Sequence, residues 1–220
     1  MIPTHIHQIW IGPKQRPDEW LHTWQNKNPS FTFTLWDEQA IDNFGLVNRD
    51  KYDYFMKKQT YDGAADVARV EILLRLGGIY LDADSVCRLT IEGAPFLDLD
   101  FFAVFEYDKR IANGVIGAMP NHPILKTYQQ RIRTATVIEP PSFTIGGTLL
   151  TTCVDGFMCY NRVRSLYTGH YNPERAAVKI LPSYTFYPKL GHYHEADGLT
   201  PPIYSRQMWG TTKGLYTEIR

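Results

Sequence analysis

The apolar positions of this chain change rhythm from one stretch to the next. Thr4 to Trp10 is a short run with apolar residues at Ile6, Ile9 and Trp10, closed by Ile11-Gly12-Pro13, and it predicts a strand ending in a loop whose backbone can approach a ligand. Pro17 followed by Asp18 and Glu19 makes a helix start, with Trp20 and Trp24 on one face as core residues and Asn28-Pro29 as the stop. Phe31 to Trp36 alternates as a strand does, and Asp37 is placed to cap a helix reaching about Phe44. The first sixty residues thus predict strand, helix, strand, helix.

The most informative pattern runs from Tyr61 to Arg88. Ala65, Ala68, Ile72, Leu73 and Leu76 recur at helical spacing, and Val67, Val70 and Leu74 make the opposite side nearly as apolar. Such a helix is covered by neighbours on most sides. Asp62, Asp66 and Arg69 interrupt that coat at i, i+4 and i+7, where burial makes ionised groups costly unless they are paired or liganded. Gly77-Gly78 stops the helix, Ile79-Tyr80-Leu81 reads as an interior strand, and Asp82 and Asp84 follow at its carboxyl end.

In an open α/β sheet that end faces the ligand crevice. Side chains two residues apart in extended chain point the same way, so both carboxylates can meet one divalent cation. Asp98 and Asp100 repeat the spacing but precede the apolar run Phe101 to Phe105, which puts them at the wrong end of a strand. Strand and helix alternating in this way predict a single α/β domain with a mostly parallel, Rossmann-like sheet and helices on both faces. Neither G-x-G-x-x-G nor G-x-x-x-x-G-K-[ST] occurs, so a diphosphate would need a cation where helix-terminal amides do not serve.

The pattern Ala65-Asp66-x-x-Arg69, Leu73, Gly77-Gly78-x-Tyr80-x-Asp82-x-Asp84, preceded by Ile6-His7-Gln8-Ile9-Trp10 and Gly12 and followed by Asn113 and the Pro120 to Pro123 segment, resembles the sugar transferases of glycosyltransferase family thirty-two. The resemblance covers residues 1–123 well and the remainder weakly. It implies the GT-A architecture, with residues 1–123 as the nucleotide-sugar and metal-binding part and 124–220 as the acceptor-side part. It also implies that Gln8, Ile9 and Trp10 border the base and ribose of a donor, and that transfer retains anomeric configuration. Inversion would instead direct attention to Glu106, Asp108 or Glu195 as a base. Asn113 is a candidate polar contact near donor sugar and acceptor, or a turn asparagine before Gly114.

The roles expected on this basis are specific. Asp84 ligates Mn²⁺ or Mg²⁺ directly, and Asp82 bridges metal and ribose or sugar. Asp66 and Arg69 hold donor hydroxyls or phosphate through the rigid guanidinium fork, or pair with each other along the helix. Relatives end with histidines where this chain has Gln207-Met208-Trp209, so Gln207 completes the metal shell, or His192 or His194 reaches back to it. UDP-hexose is the preferred donor and GDP-mannose the second, with a glycan or other hydroxyl as acceptor. A sugar nucleotidyltransferase and a catalytically inactive sugar-nucleotide or glycan-binding domain are the rival readings.

Composition narrows the setting. The 220 residues are 44% hydrophobic and 14% aromatic, enough for one substantial core. Lys+Arg and Asp+Glu both total 23, which gives no charge-based case for a nucleic-acid partner. No apolar run is long enough to span a bilayer. Cys87, Cys153 and Cys159 follow no zinc pattern and read as small reduced core residues. These features predict a soluble, cytoplasmic protein or an excised catalytic domain of a larger one. Beyond Tyr160, a strand at Val178 to Leu181 is expected among aromatic loops.

Overall fold

The computed structural model describes residues 1–107, 109–136, 138–168, 177–188 and 202–208. Strand β1 (His5–Ile9), helix α1 (Asp18–Lys27), strand β2 (Thr32–Trp36) and helix α2 (Glu38–Phe44) open the chain in the expected order. Asp37 caps α2 by accepting from the Ala40 amide at 2.8 Å. Helix α3 (Arg49–Lys57) leads into α4 (Tyr61–Leu76), which is buried along most of its length and delivers the chain to β3 (Gly78–Leu81). The turn between them requires glycine. Gly77 and Gly78 have φ of +65° and +94°, and a Cβ on Gly78 would lie 2.5 Å from the His5 carbonyl oxygen.

After β4 (Ser85–Cys87) come β5 (Phe101–Tyr107), β6 (Arg110–Ala118), α5 (Pro123–Thr134), the short α6 (Pro141–Thr144), the long α7 (Gly147–Thr168), β7 (Val178–Leu181) and β8 (Ser205–Gln207). Among the described residues the main sheet has the order β2-β1-β3-β6-β5-β7. β1 runs parallel to β2 and β3, β5 runs parallel to β7, and β6 alone is reversed against both its neighbours. The sheet is therefore mostly parallel, and the carboxyl ends of β1, β3 and β5 share one edge.

Side-chain alternation divides the core between two faces. Tyr80, Phe101 and Ala103 pack with α3, α4, α5 and α7. Ile79, Leu81, Phe102 and Val104 pack on the other side with Trp24 of α1, Phe186 and Tyr204. A second, two-stranded sheet pairs β4 with β8 and sets Ser85 opposite Gln207, so a pairing between distant parts of the chain brings a C-terminal segment beside Asp84.

Several expectations need correction. Trp24 is buried, but Trp20 is only partly covered. Cys87 and Cys153 are buried, whereas Cys159 is exposed. Tyr160 lies within α7 rather than at the start of a loop region, because α7 continues to Thr168. Asn113 is no turn residue. The hairpin turns between Tyr107 and Arg110, and Asn113 sits within β6. The strand at Val178–Leu181 and the helix beginning at Pro123 are as expected; His122 caps that helix through its ring nitrogen.

Candidate active site

Asp66 and Arg69 come from α4, Asn113 from β6, and Asp82 and Asp84 from the segment leaving β3, which is not the expected extended chain but a turn at Ala83-Asp84 closed by the Ser85 amide on the Asp82 carbonyl at 3.1 Å. Arg69 is the hub. It is 5% exposed, with Nη2 3.0 Å from Asp66 Oδ1 and Nη1 3.2 Å from Asp82 Oδ1. Nη1 also donates to the Asn113 carbonyl at 2.8 Å, Nε donates to the Ala65 carbonyl, and the guanidinium lies 4.4 Å from the Tyr80 ring centre. The expected i, i+3 pair with Asp66 is therefore present, and the same side chain also reaches Asp82. Burial works against the Arg69 cation, but Tyr80, Asp66 and Asp82 outweigh it and raise its pKa.

Burial also pushes Asp66 up to about 6, with Asp62 and Asp82 adding to the rise and Arg69 and Asn113 opposing it. Asn113 Nδ2 donates to Asp66 Oδ1 at 2.7 Å. Asp82 is fixed from several directions. The Tyr80 hydroxyl donates to its Oδ1 at 3.1 Å, Gln8 Nε2 donates to its carbonyl at 3.3 Å, and its own amide donates to the Gly114 carbonyl at 2.9 Å. Burial raises the Tyr80 pKa well above its ordinary value, which keeps the phenol a donor.

A cleft of about 490 Å³ opens over this network, lined among others by Ile9, Trp10, Lys14, Tyr61, Arg69, Tyr80, Asp82 and Asp84. Ile9 and Trp10 thus face it. Gln8 is fully buried behind the wall and supports Asp82 from beneath. Asp66 and Asn113 act on the cleft through Arg69. Asp84 touches the Gln207 side-chain amide, and its carbonyl accepts from the Met208 amide at 2.8 Å. Asp98 and Asp100 lie before β5, and Asp100 meets the N-terminal ammonium. His192 and His194 lie outside the described residues, as do Asp108 and Glu195.

Sequence reasoning did not assign roles to Tyr80, Gly114 or Tyr187. A Cβ on Gly114 would overlap Asp82 Oδ2 and come within 2.8 Å of the Tyr187 hydroxyl. Tyr80 had a signal in its place two residues before Asp82, on the same side of an extended chain. Tyr187 had none, since a tertiary fold is needed to bring it there.

Helix-flanked strands that converge on a carboxylate-bearing edge define a GT-A glycosyltransferase fold. The same fold is seen in the PaToxG glycosyltransferase, with a TM-score of 0.60 at 17% identity over 76% of this chain and 73% of that one. It recurs in the UDP-bound glycosyltransferase domain of the YGT toxin, with a TM-score of 0.50 at 12% identity over 81% and 79%. Residues 15–104 match the family model described as a glycosyltransferase sugar-binding region containing a DXD motif, in keeping with the resemblance to family thirty-two.

Among its relatives, a glycosyltransferase of Acanthamoeba polyphaga mimivirus is 42% identical over 135 residues, 56% of this chain and 53% of that protein. Inositol phosphoceramide mannosyltransferase 3 of Schizosaccharomyces pombe is 30% identical over 134 residues, 56% of this chain and 35% of its own length. The chain thus spans about half or less of these relatives. Among the described residues, no helix is long and apolar enough to cross a membrane.

Proposed function

We propose that this chain forms the catalytic part of a metal-dependent glycosyltransferase that moves a hexose from a nucleoside-diphosphate sugar to a glycan or other hydroxyl acceptor, with retention. The observation that carries this reading is that one cleft is lined by the flat rings of Trp10 and Tyr61, by Arg69, and by Asp82 and Asp84. Rings suit a base, a guanidinium suits phosphate or sugar hydroxyls, and carboxylates suit a cation on the diphosphate. The UDP in the YGT toxin domain favours a uridine donor, while the mannosyltransferase relatives favour mannose. UDP-hexose remains the first choice and GDP-mannose the second.

The residues present fit a hard divalent ion. Asp82, Asp84 and the Gln207 carbonyl offer oxygen donors only, and the β4–β8 pairing already holds Gln207 against Asp84. The Gln207 amide directs its nitrogen at the carboxylate, and a half-turn about the last side-chain bond presents its oxygen instead. Asp82, Asp84 and Gln207 would hold Mn²⁺ or Mg²⁺, which would supply positive charge against a diphosphate leaving group. Arg69, held by Asp66, orients sugar hydroxyls or phosphate, while Tyr80 restrains the Asp82 carboxylate and Gln8 its backbone.

The test is to incubate a panel of nucleotide sugars with the chain and Mn²⁺ and follow released nucleotide. Release of nucleoside diphosphate that stops on adding a chelator supports the reading. Pyrophosphate would instead indicate a nucleotidyltransferase, and binding without turnover an inactive binding domain. An NMR spectrum of the first-formed product tests retention.

A further inference from the structure

The carboxyl ends of β3 and β5 lie at the same edge of the sheet with β6 between them. Glu106, near the end of β5, therefore stands on the side of Asp82 away from Trp10 and β1. Its backbone is irregular. The pairing of β5 with β6 slips between Phe105, opposite Ile111, and Tyr107, opposite Arg110, and Glu106 falls in the slip without a register partner. Bulges re-aim the side chains they release and are frequent beside active sites.

Glu106 is partly buried, with Oε2 3.3 Å from Arg110 Nε. Burial first, and the Asp82 charge with it, raise the Glu106 pKa against the pull of Arg110. Arg110 extends further outward, donating to the Ser142 carbonyl at 3.3 Å and lying 5.4 Å from the ring centre of Phe143. Phe143 is 60% exposed, so its ring adds little to the core. Tyr187, whose hydroxyl borders Gly114, stands in the combined field of Asp82, Glu106 and Asp84.

Leading away from Asp82 on the side opposite the nucleotide cleft, the surface thus presents a braced carboxylate, a guanidinium and an open aromatic ring, with the buried Tyr187 phenol beneath them. A sugar needs such a mixture. Its C–H face packs on a ring while its hydroxyls require fixed charged or polar partners.

We propose that Glu106, held by Arg110 in the β5 bulge, binds and orients the incoming hydroxyl of a carbohydrate acceptor, with Phe143 as the platform for the acceptor ring. This rests on the glycosyltransferase reading above and adds an acceptor class and a positioning residue to it.

The test uses the full chain with Mn²⁺, UDP-glucose, UDP-galactose and GDP-mannose, and an array of immobilised mono- to tetrasaccharides. Two rates are compared: donor hydrolysis by water and transfer to the array. Glu106→Gln and Phe143→Ala should each lower the ratio of transfer to hydrolysis by about tenfold or more, chiefly through a higher acceptor KM, because each removes one anchor of a binding site. Glu106→Asp, which keeps the charge, should recover part of that ratio. An unaltered ratio in both variants overturns the proposal. So does an equal fall of hydrolysis and transfer, which would assign these residues to the donor site or the fold. Donor hydrolysis by the parent without transfer to any saccharide would reject the carbohydrate acceptor alone, whereas no turnover of any donor would remove the glycosyltransferase reading and this proposal with it.

Discussion

Gly114 and Asp82 occupy the same small space from two strands: the Asp82 amide donates to the Gly114 carbonyl at 2.9 Å, and any Cβ at position 114 would overlap Asp82 Oδ2. Since Asp82 is also pinned by Tyr80 and Arg69, a side chain at 114 must displace the carboxylate itself. A shift of about 1 Å at a catalytic group costs on the order of 100-fold in rate. Gly114→Ala should therefore lose about that much turnover. Circular dichroism should show the sheet intact. Turnover matching the parent would mean that Asp82 is not held as described.

Arg69 neutralises two carboxylates in a nearly dry setting, with its side chain 6% exposed and that of Asp66 9% exposed. Removing one partner of a buried ion pair strands the other and costs about 3–5 kcal/mol. Arg69→Met should lower unfolding stability by that order in urea titrations. Adding Asp66→Asn to Arg69→Met removes one stranded charge, so the double variant should be more stable than Arg69→Met alone. A double variant less stable than the single one would show that the Asp66 charge is not what Arg69 offsets.

His7 makes stability depend on pH. It is fully buried between the Gly77 carbonyl, 3.0 Å from Nε2, and the Trp36 indole, which donates to Nδ1 at 3.2 Å. Burial first, then His5, lower its pKa from 6.5 to about 3. The folded pKa is depressed, so the unfolded chain takes up the proton first. The contribution of His7 is full above pH 6.5 and is lost as pH falls towards about 3. Asp66 has the opposite sign: its folded pKa is raised, and the stability this confers at low pH is lost as pH rises through about 6. Subtracting a His7→Gln variant isolates the histidine, and the parent should lose about 1.4 kcal/mol per pH unit relative to it below pH 6.5. A flat difference would contradict the neutral, buried imidazole.

Local chemistry explains which features the sequence discloses. α4, the Gly77-Gly78 stop and the carboxylates at the end of β3 are written in consecutive residues, because helix period, left-handed glycine and strand ends are all short-range. Asn113 was ambiguous for the same reason. Asn-Gly marks turns locally, and only the pairing of β6 between β3 and β5 makes Gly114 a gap for Asp82 rather than a bend. Tyr187 and the Glu106 bulge depend on how β5 meets β6 and β7, and no local period encodes that. Gln207 was singled out from its position relative to a family histidine; the physical reason it reaches Asp84 is the β4–β8 ladder between distant segments.

The central claim is that Asp84, at the carboxyl end of β3, holds a cation for the donor diphosphate, whereas the equally spaced Asp98 before β5 does not. Calorimetric titration of UDP into the chain with Mn²⁺ tests it most directly, comparing the parent, Asp84→Asn and Asp98→Asn, each repeated in chelator. The account predicts that chelator and Asp84→Asn each weaken UDP binding by about 100-fold or more, as loss of a metal ligand should, and that Asp98→Asn binds like the parent. Equal losses in the two variants, or parent affinity that persists in chelator, would contradict it.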